Sequence, residues 1–132
     1  MTKAFVAPGE HDLGVMLATM SPVLDPVDYV FFTGIDECIR ADALMTFRES
    51  EGVTQIVPAT DERAELRYTR IELRVHSSLA AVGLTAAVSA ALTDAGISAN
   101  VVAAYYHDHI FVPVARADDA LSALQQLSAA HR

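Results

Sequence analysis

The stretch "RIELRVHSSLAAVGLTAAVSAALTDAGISANVVAAYYHDHIFVPVA", residues 70–115, carries most of the signals that decide the fold. Its first seven residues alternate charged and apolar side chains, which predicts a strand with one face in a core. An Ala-rich helix is predicted over 79–95, because its large apolar residues recur every four positions. Ser77 and Ser78 are good helix caps, and Gly96 is typical of a helix end.

The rest of this stretch predicts a hairpin followed by a last helix. Residues 98–106 and 109–115 are two apolar strands with almost nothing between them. Asp118 and Asp119 then favour the start of a helix, whose apolar positions are Leu121, Leu124 and Leu127. The resulting order, β-α-β-β-α, is one strand short of a βαββαβ unit. We therefore expect the missing strand to come from the N-terminal half or from another chain.

The N-terminal half gives a less regular pattern, which begins with a short apolar run over 13–20. The elements predicted after it are a turn at 24–28, a buried strand at 29–35, a helix at 37–49 preceded by Asp36, a strand at 51–58 and a link at 59–66. The helix is predicted from apolar residues at helical spacing, namely Ile39, Ala43, Leu44 and Phe47.

The composition excludes several classes of function. The chain has 132 residues and a net charge of −8, with 52% hydrophobic residues, which is typical of a globular protein. This acidity argues against partners that are nucleic acids or anionic membranes, because both need clustered Lys and Arg. Cys38 is the only cysteine, and the start lacks a signal-peptide pattern. We expect a cytoplasmic protein with no membrane span.

Catalytic and metal-binding motifs are weak. The sequence lacks GxSxG, HExxH, GxGxxG and GxxxxGK[ST], so we expect neither an enzyme nor a cofactor. Cys38 fits a buried core position. A metal site remains an alternative, because His107 and His109 would share a face of a strand, with Asp108 or His76 as a further ligand. No second cysteine or spaced histidine pair supports it.

Three segments carry a resemblance to a known family: "LATMSPVLDPVDYVFFTG", "FRESEGVTQIVP" and "HSSLAAVGLTAAV". Together with the element order, they resemble a bacterial family of unknown function that has two ACT-like halves. The resemblance implies an α+β, ferredoxin-like βαββαβ fold in tandem, with an N-terminal ACT-like half at 1–66 and a C-terminal ACT domain at 67–132. ACT domains are small regulatory domains that bind amino acids, so it also implies a non-catalytic sensor.

The C-terminal half is similar to the arginine-sensing tandem-ACT proteins of animal cells, through "AGIS", the aromatic residue before the turn, and "DH" in the turn. This similarity implies a ligand held between the 76–84 segment and the 105–109 hairpin. The acidic helix residue that those sensors aim at the ligand's side chain is Ala81 here, which does not favour arginine. The implied ligand-binding residues are His76, Ser77, Ser78, Ala81, Val82, Gly83, Leu84, Ser98, Ala99, Tyr105, His107 and Asp108.

Elementary chemistry points to the same two segments. A helix start attracts a carboxylate, and Asp108 would attract an ammonium group. If strands 70–76 and 98–106 are parallel, Asp108 faces the 76–79 turn, near Tyr106 and His109 at the hairpin tip. The alternative is that the serines only cap a helix and Asp108 only favours a turn.

The expected assembly is a homodimer, because the incomplete C-terminal unit leaves strand edges that must be covered. Two other functions stay open at this point. The first is a structural dimerisation module with an empty pocket, and the second is a metal-dependent enzyme.

Overall fold

A computed structural model describes residues 9–34, 39–60 and 66–132. In these ranges one six-stranded antiparallel sheet, in the order β2-β3-β1-β4-β6-β5, packs against helices. The elements are α1 Leu13–Thr19, β1 Pro22–Gly34, β2 Met45–Arg48, β3 Val53–Pro58, β4 Tyr68–Leu73, α2 Leu84–Asp94, β5 Asn100–Ala103, β6 Asp108–Pro113, a 3-10 turn Val114–Arg116, and α3 Ala117–Ala129. None of the helices described is long and apolar enough to cross a membrane.

The C-terminal half forms the unit expected of it, and the N-terminal half supplies the missing strand. Strand β6 lies between β4 and β5 and is antiparallel to both, so β4 and β5 run parallel. On the other side of β4 lies β1, which is antiparallel to it and pairs Leu24 with Ile71. The α+β, ferredoxin-like prediction is therefore confirmed, with β1 completing the βαββαβ pattern.

The helices cover one face of the sheet. Ile71 and Leu73 on β4, and Ile110 and Val112 on β6, point to this face and are at most 1% exposed. They share a core with residues from the helices and their flanks, namely Met16, Leu17, Met20, Leu84, Val88, Leu92, Ile97, Ala120 and Leu124. Burying each large side chain contributes about 1.5–3 kcal/mol. This core holds the start of α2 close to the end of the sheet at which β4 ends and β6 begins.

The other face of the sheet is concave. A small cavity on it is lined by residues of both edge strands, including Met45 of β2 and Val102 of β5. A flat sheet would hold these strands about 24 Å apart, five strand spacings, so the sheet must curl. The ring of Phe111 packs edge-on against Tyr29 at 6.0 Å between centroids and against Phe31 at 5.7 Å. These aromatic contacts form a second, smaller core.

The helix predicted over 37–49 is wrong. Within 39–49 the chain forms β2, which pairs with β3 as a hairpin, with Met45 opposite Ile56. Apolar residues at helical spacing give a helix only if one face can be buried, and Phe47 is 63% exposed. Pairing with β3 provides the backbone hydrogen bonds instead. The predicted capping residue Asp36 and Cys38 lie outside the described residues.

Two expectations for β1 also need correction. The turn predicted at 24–28 is instead part of β1. The register of β1 with β4 shifts between Leu24 and Asp28. Pro26 lies in this irregular stretch, where no backbone hydrogen bond to β4 is required from it. The strand at 29–35 was expected to be buried, but Phe31 and Phe32 are about 40% exposed. Residue 35 and most of the link at 59–66 lie outside the described residues.

Candidate functional site

The segment between β4 and α2 is not helical at its start, contrary to the prediction of a helix from residue 79. Helix α2 begins at Leu84, and Gly83 before it has a φ of 108°, a left-handed conformation that favours glycine. Neither predicted serine caps the helix. Ser78 instead accepts a hydrogen bond from the Ala80 N–H at 3.1 Å, closing a local turn. The result is an irregular, non-helical segment, 74–83, ahead of the helix.

Residues Gly9 and Glu10 hold this segment in place through a short backbone bridge to Ser77, a contact that no local sequence pattern predicts. The Glu10 N–H donates to the His76 carbonyl at 2.8 Å, and the Ser78 N–H donates to the Glu10 carbonyl at 2.9 Å. Gly9 lies so close that a Cβ there would be 2.5 Å from the His76 carbonyl oxygen. The one signal in the sequence was this glycine, whose missing side chain permits close approach.

The hairpin between β5 and β6 meets this segment at Asp108. Asp108 is the first residue of β6 and is 7% exposed. The Ser77 hydroxyl donates to Asp108 Oδ2 at 3.4 Å. Ser77 and Asp108 meet because the register of β4 and β6 pairs Glu72 with His109. This pairing puts the end of β4 beside the start of β6. The structure thus brings the 76–79 turn and Asp108 together.

Asp108 is a buried carboxyl group whose neighbours only partly offset the cost of burying its charge. Burial raises its pKa, while the Ser77 hydrogen bond and the nearby charges of His109 and His107 act in the opposite direction without cancelling it. Burial lowers the pKa of His109, and the Arg70 charge acts in the same direction. A cation placed against Asp108 would therefore find a carboxylate that gains from being paired.

A cavity of about 130 Å³ opens between the turn, the helix start and the hairpin. Its walls are formed by Ser77, Ser78, Leu79, Ala81, Gly83, Leu84, Thr85, Ala103 and Asp108. The first intrahelical hydrogen bond of α2 runs from the Ala87 N–H to the Gly83 carbonyl, so within the described residues the N–H groups of Leu84, Thr85 and Ala86 have no intrahelical acceptor and can bind an anion. The cavity therefore offers anion-binding groups near a buried carboxylate.

The residues implied by the resemblance fall into two groups. Ser77, Ser78, Ala81, Gly83, Leu84 and Asp108 line the cavity, and His76, Val82, Ser98, Ala99, Tyr105 and His107 do not. Ala99 packs against the helix-side core, and Ser98 is exposed on the same connection. His107 lies 3.4 Å from Glu72. The lining residues absent from the sequence-based set are Leu79, Thr85 and Ala103, of which Thr85 follows the helix start directly.

An exposed aromatic patch, formed by His76, Tyr105 and Tyr106, stands beside the cavity. The His76 ring centroid lies 6.1 Å from that of Tyr105 and 5.4 Å from that of Tyr106. Both tyrosines are more than half exposed, as are Leu79 and Val82 of the 76–84 segment. Exposed apolar side chains grouped in this way are typical of an interaction surface.

The histidines of the hairpin do not form a metal-binding cluster with other described residues. In the described ranges, no group of three His, Cys, Asp or Glu side chains is arranged to hold a metal ion. His107 contacts Glu72 at 3.4 Å, and the ring of His109 lines the cavity on the concave face of the sheet.

Comparisons with known proteins cover most of the chain. One ACT-domain model matches residues 8–71, and a second ACT-domain model matches residues 65–126. A protein of unknown function from Vibrio cholerae, described as a possible transport protein, is 45% identical, with a TM-score of 0.72 and coverage of 85% of this chain and 92% of that chain. A protein from Agrobacterium tumefaciens shares the fold, with a TM-score of 0.56 at 14% identity over 76% of this chain and 81% of that one. No curated protein sequence matches.

Proposed function

The chain belongs to the ACT-domain family, with two ACT units in tandem, and on that premise we propose that it is a non-catalytic regulatory protein that binds a free amino acid. The observation that carries the proposal is Asp108, a buried acid that faces a turn and a helix start across one cavity. The α-carboxylate of the ligand would accept hydrogen bonds from the free N–H groups of α2. Its ammonium group would pair with Asp108.

The cavity walls favour an amino acid with a short, uncharged side chain. A volume of about 130 Å³ corresponds to roughly four water molecules, at about 30 Å³ each. Leu79, Ala81 and Ala103 present apolar surface, and among the described residues of the lining only Asp108 is charged. A long cationic side chain would find no second acid there, so arginine is not the expected ligand.

We also propose that two copies of the chain form a cytoplasmic homodimer that closes the cavity. The aromatic patch belongs to the two segments that line the cavity, and Val82, which is 83% exposed, lies in the chain between the lining residues Ala81 and Gly83. Strand β5 is an edge of the sheet, with unpaired backbone groups that a second copy can cover. A ligand at such a seam would link its own binding to the association of the subunits.

The test of ligand binding is a thermal-shift screen of the twenty amino acids, followed by calorimetric titration of each compound that stabilises the protein. At least one small amino acid should raise Tm in a saturable manner. Asp108→Asn should abolish that shift while the variant stays folded, and Asp118→Asn, which alters an exposed acid in α3, should retain it. A flat screen with millimolar ligand would reject the sensor and favour a structural dimerisation module.

The test of assembly is light scattering at micromolar concentration. The wild-type chain should have the mass of a dimer, and Val82→Lys should shift it towards monomer because it places a charge in the proposed seam. Val27→Lys, at an exposed valine on β1 distant in sequence from the patch, is the matched control. A wild-type chain that is strictly monomeric with and without ligand would contradict the proposal.

A further inference from the structure

The second cavity lies on the concave face of the sheet, opposite the helices, and has a volume of about 130 Å³. Its lining is Leu44, Met45, Ile56, Arg70, Val102, Ala104, His109 and Phe111. Strand pairing explains why these residues converge. His109 lies directly opposite Val102, and Phe111 lies directly opposite Arg70, so these side chains share a face. The curl of the sheet then brings β2 and β3 over them.

Two polar side chains interrupt this apolar lining. Arg70 uses Nε and Nη2 to donate to Asp25 Oδ2, at 3.0 and 2.7 Å, and within the described residues its Nη1 has no partner. The Nδ1 atom of His109 is buried, and it too has no hydrogen-bond partner in the part of the chain that the structure describes. Buried polar atoms in native proteins nearly always have a partner, so an orphan nitrogen beside a cavity indicates that a water molecule or a polar group of a ligand occupies the cavity.

The charges select the kind of ligand. Arg70, which is paired with Asp25, brings a positive charge to the wall, and among the described residues no acidic side chain lines the cavity. Glu72, which stands opposite His109 on β4, already contacts Arg74 at 2.8 Å. A carboxylate is therefore favoured, whereas an ammonium group would meet the Arg70 charge and would find no acidic side chain in the described lining. The remaining wall is apolar, so the rest of the ligand should be aliphatic.

We propose that this concave-face cavity binds a short aliphatic monocarboxylate that has no amino group, such as a branched short-chain acid or its 2-oxo counterpart. Its carboxylate lies against Arg70 and His109, and its alkyl chain lies among Met45, Ile56 and Val102. The size is suitable, since a cavity of about 150 Å³ accommodates a benzene ring. The inference does not depend on amino-acid binding at Asp108, because the two cavities share no lining residue.

The two cavities would then distinguish acids by their amino group. Asp108 disfavours a carboxylate that lacks a balancing ammonium, while the concave-face cavity disfavours the ammonium itself. One chain would thus respond separately to an amino acid and to an acid without the amine.

The test uses 3-methylbutanoate as the probe, added to the full-length protein and followed by calorimetry and by NMR of the methyl groups. We expect saturable binding, with shifts at Met45 and Val102 rather than at Leu79 and Leu84. The matched probe 3-methylbutylamine has the same alkyl group and the opposite charge, and it should bind at least about tenfold more weakly.

Two variants keep the test decisive. Val102→Phe fills the cavity, and His109→Phe keeps a ring while it removes both nitrogens. Each should weaken 3-methylbutanoate binding at least about tenfold. Val27→Phe, an equal enlargement at an exposed site, should leave binding unchanged. The proposal is overturned by no binding at millimolar probe, by equal binding of the amine, by shifts confined to Leu79 and Leu84, or by undiminished binding in both folded variants.

Discussion

Ser77 and Asp108 are joined by a hydrogen bond of 3.4 Å, although 31 positions separate them in the chain. The contact links the segment that leaves β4 with the hairpin that enters β6. Among the described residues, Ser77 is the one side chain that donates to this carboxylate, which is 7% exposed. Such an acid costs free energy in the empty protein and becomes favourable when a cation pairs with it.

Replacing Asp108 by Asn should therefore stabilise the ligand-free protein at neutral pH. The folded protein raises the pKa of Asp108, chiefly by burial, so this residue contributes stability at acid pH that is lost as the pH rises through the folded-state pKa. Asn has no charge to bury and keeps the contact with Ser77. Urea denaturation of both proteins should give a gap in unfolding free energy that widens from acid to neutral pH. A variant less stable than wild type at neutral pH would contradict this.

Amino-acid binding should release protons near the raised pKa of Asp108. In the ligand-free protein the carboxyl group is partly protonated there, and an ammonium group beside it lowers the pKa again. Calorimetric titrations in buffers of different ionisation enthalpy should show proton release that diminishes at higher pH. Asp118→Asn should release as many protons as wild type. A titration with no buffer dependence at any pH between the ordinary Asp pKa and neutrality would reject the pairing.

The sequence predicts the C-terminal unit well because its signals are local. The alternation around Ile71 and Leu73 and the apolar repeat of α2 each require only a few neighbouring residues. The juxtaposition of Ser77 and Asp108 could also be foreseen, since a split βαβ unit with parallel β4 and β5 brings those ends to one edge.

What could not be predicted depends on contacts between distant parts of the chain. Residues 39–49 carry apolar side chains at helical spacing, yet β3 provides a partner strand and the segment becomes β2. Helix α2 begins only at Leu84, because Gly83 before it adopts a left-handed conformation. Gly83 also packs against the Leu13 side chain, where an added Cβ would lie 2.9 Å from Leu13 Cδ2. The concave-face cavity requires the curl of the whole sheet, which no local pattern encodes.

Gly9 should be required for the shape of the first cavity. A Cβ at this position would lie 2.5 Å from the His76 carbonyl oxygen and 2.6 Å from the Ser78 nitrogen, so Gly9→Ala must displace one of the two segments. Loss of the two backbone hydrogen bonds made by Glu10 should cost about 1–3 kcal/mol of unfolding free energy.

Chemical denaturation measures that cost, and hydrogen exchange at the Ser78 N–H locates it. Gly14→Ala is the matched control, because Gly14 lies in α1 and its added methyl would have only Asp12 Oδ1 nearby, at 3.3 Å. The exposed Asp12 side chain can shift by the few tenths of an ångström that the methyl requires, so Gly14→Ala should cost less unfolding free energy than Gly9→Ala, whose clash is with backbone atoms. Equal stability of the two alanine variants would show that Gly9 is not closely packed.

The last prediction concerns Asp25, which connects the irregular part of β1 to β4. Its carboxylate accepts hydrogen bonds from the Val27 N–H and the Tyr29 hydroxyl, both at 2.8 Å, and from the Arg70 guanidinium at 2.7 Å. Burial raises the pKa of Asp25, but these hydrogen bonds and the Arg70 charge outweigh it and lower the pKa overall. The charged form is therefore the one that stabilises the fold.

Asp25→Asn should cost about 1.5–3 kcal/mol near neutral pH, the range for hydrogen bonds to a charged group. This contribution is present above the ordinary Asp pKa of about 3.9 and is lost as the pH falls through the lowered folded-state value, so the gap to wild type should close in acid. Asp28→Asn is the control, since Asp28 pairs with Arg67 at 2.7 Å but is 32% exposed, and it should cost only about 0–1 kcal/mol. Urea denaturation at neutral and acid pH measures both variants, and a gap for Asp25→Asn that persists unchanged in acid would show that its effect is not electrostatic.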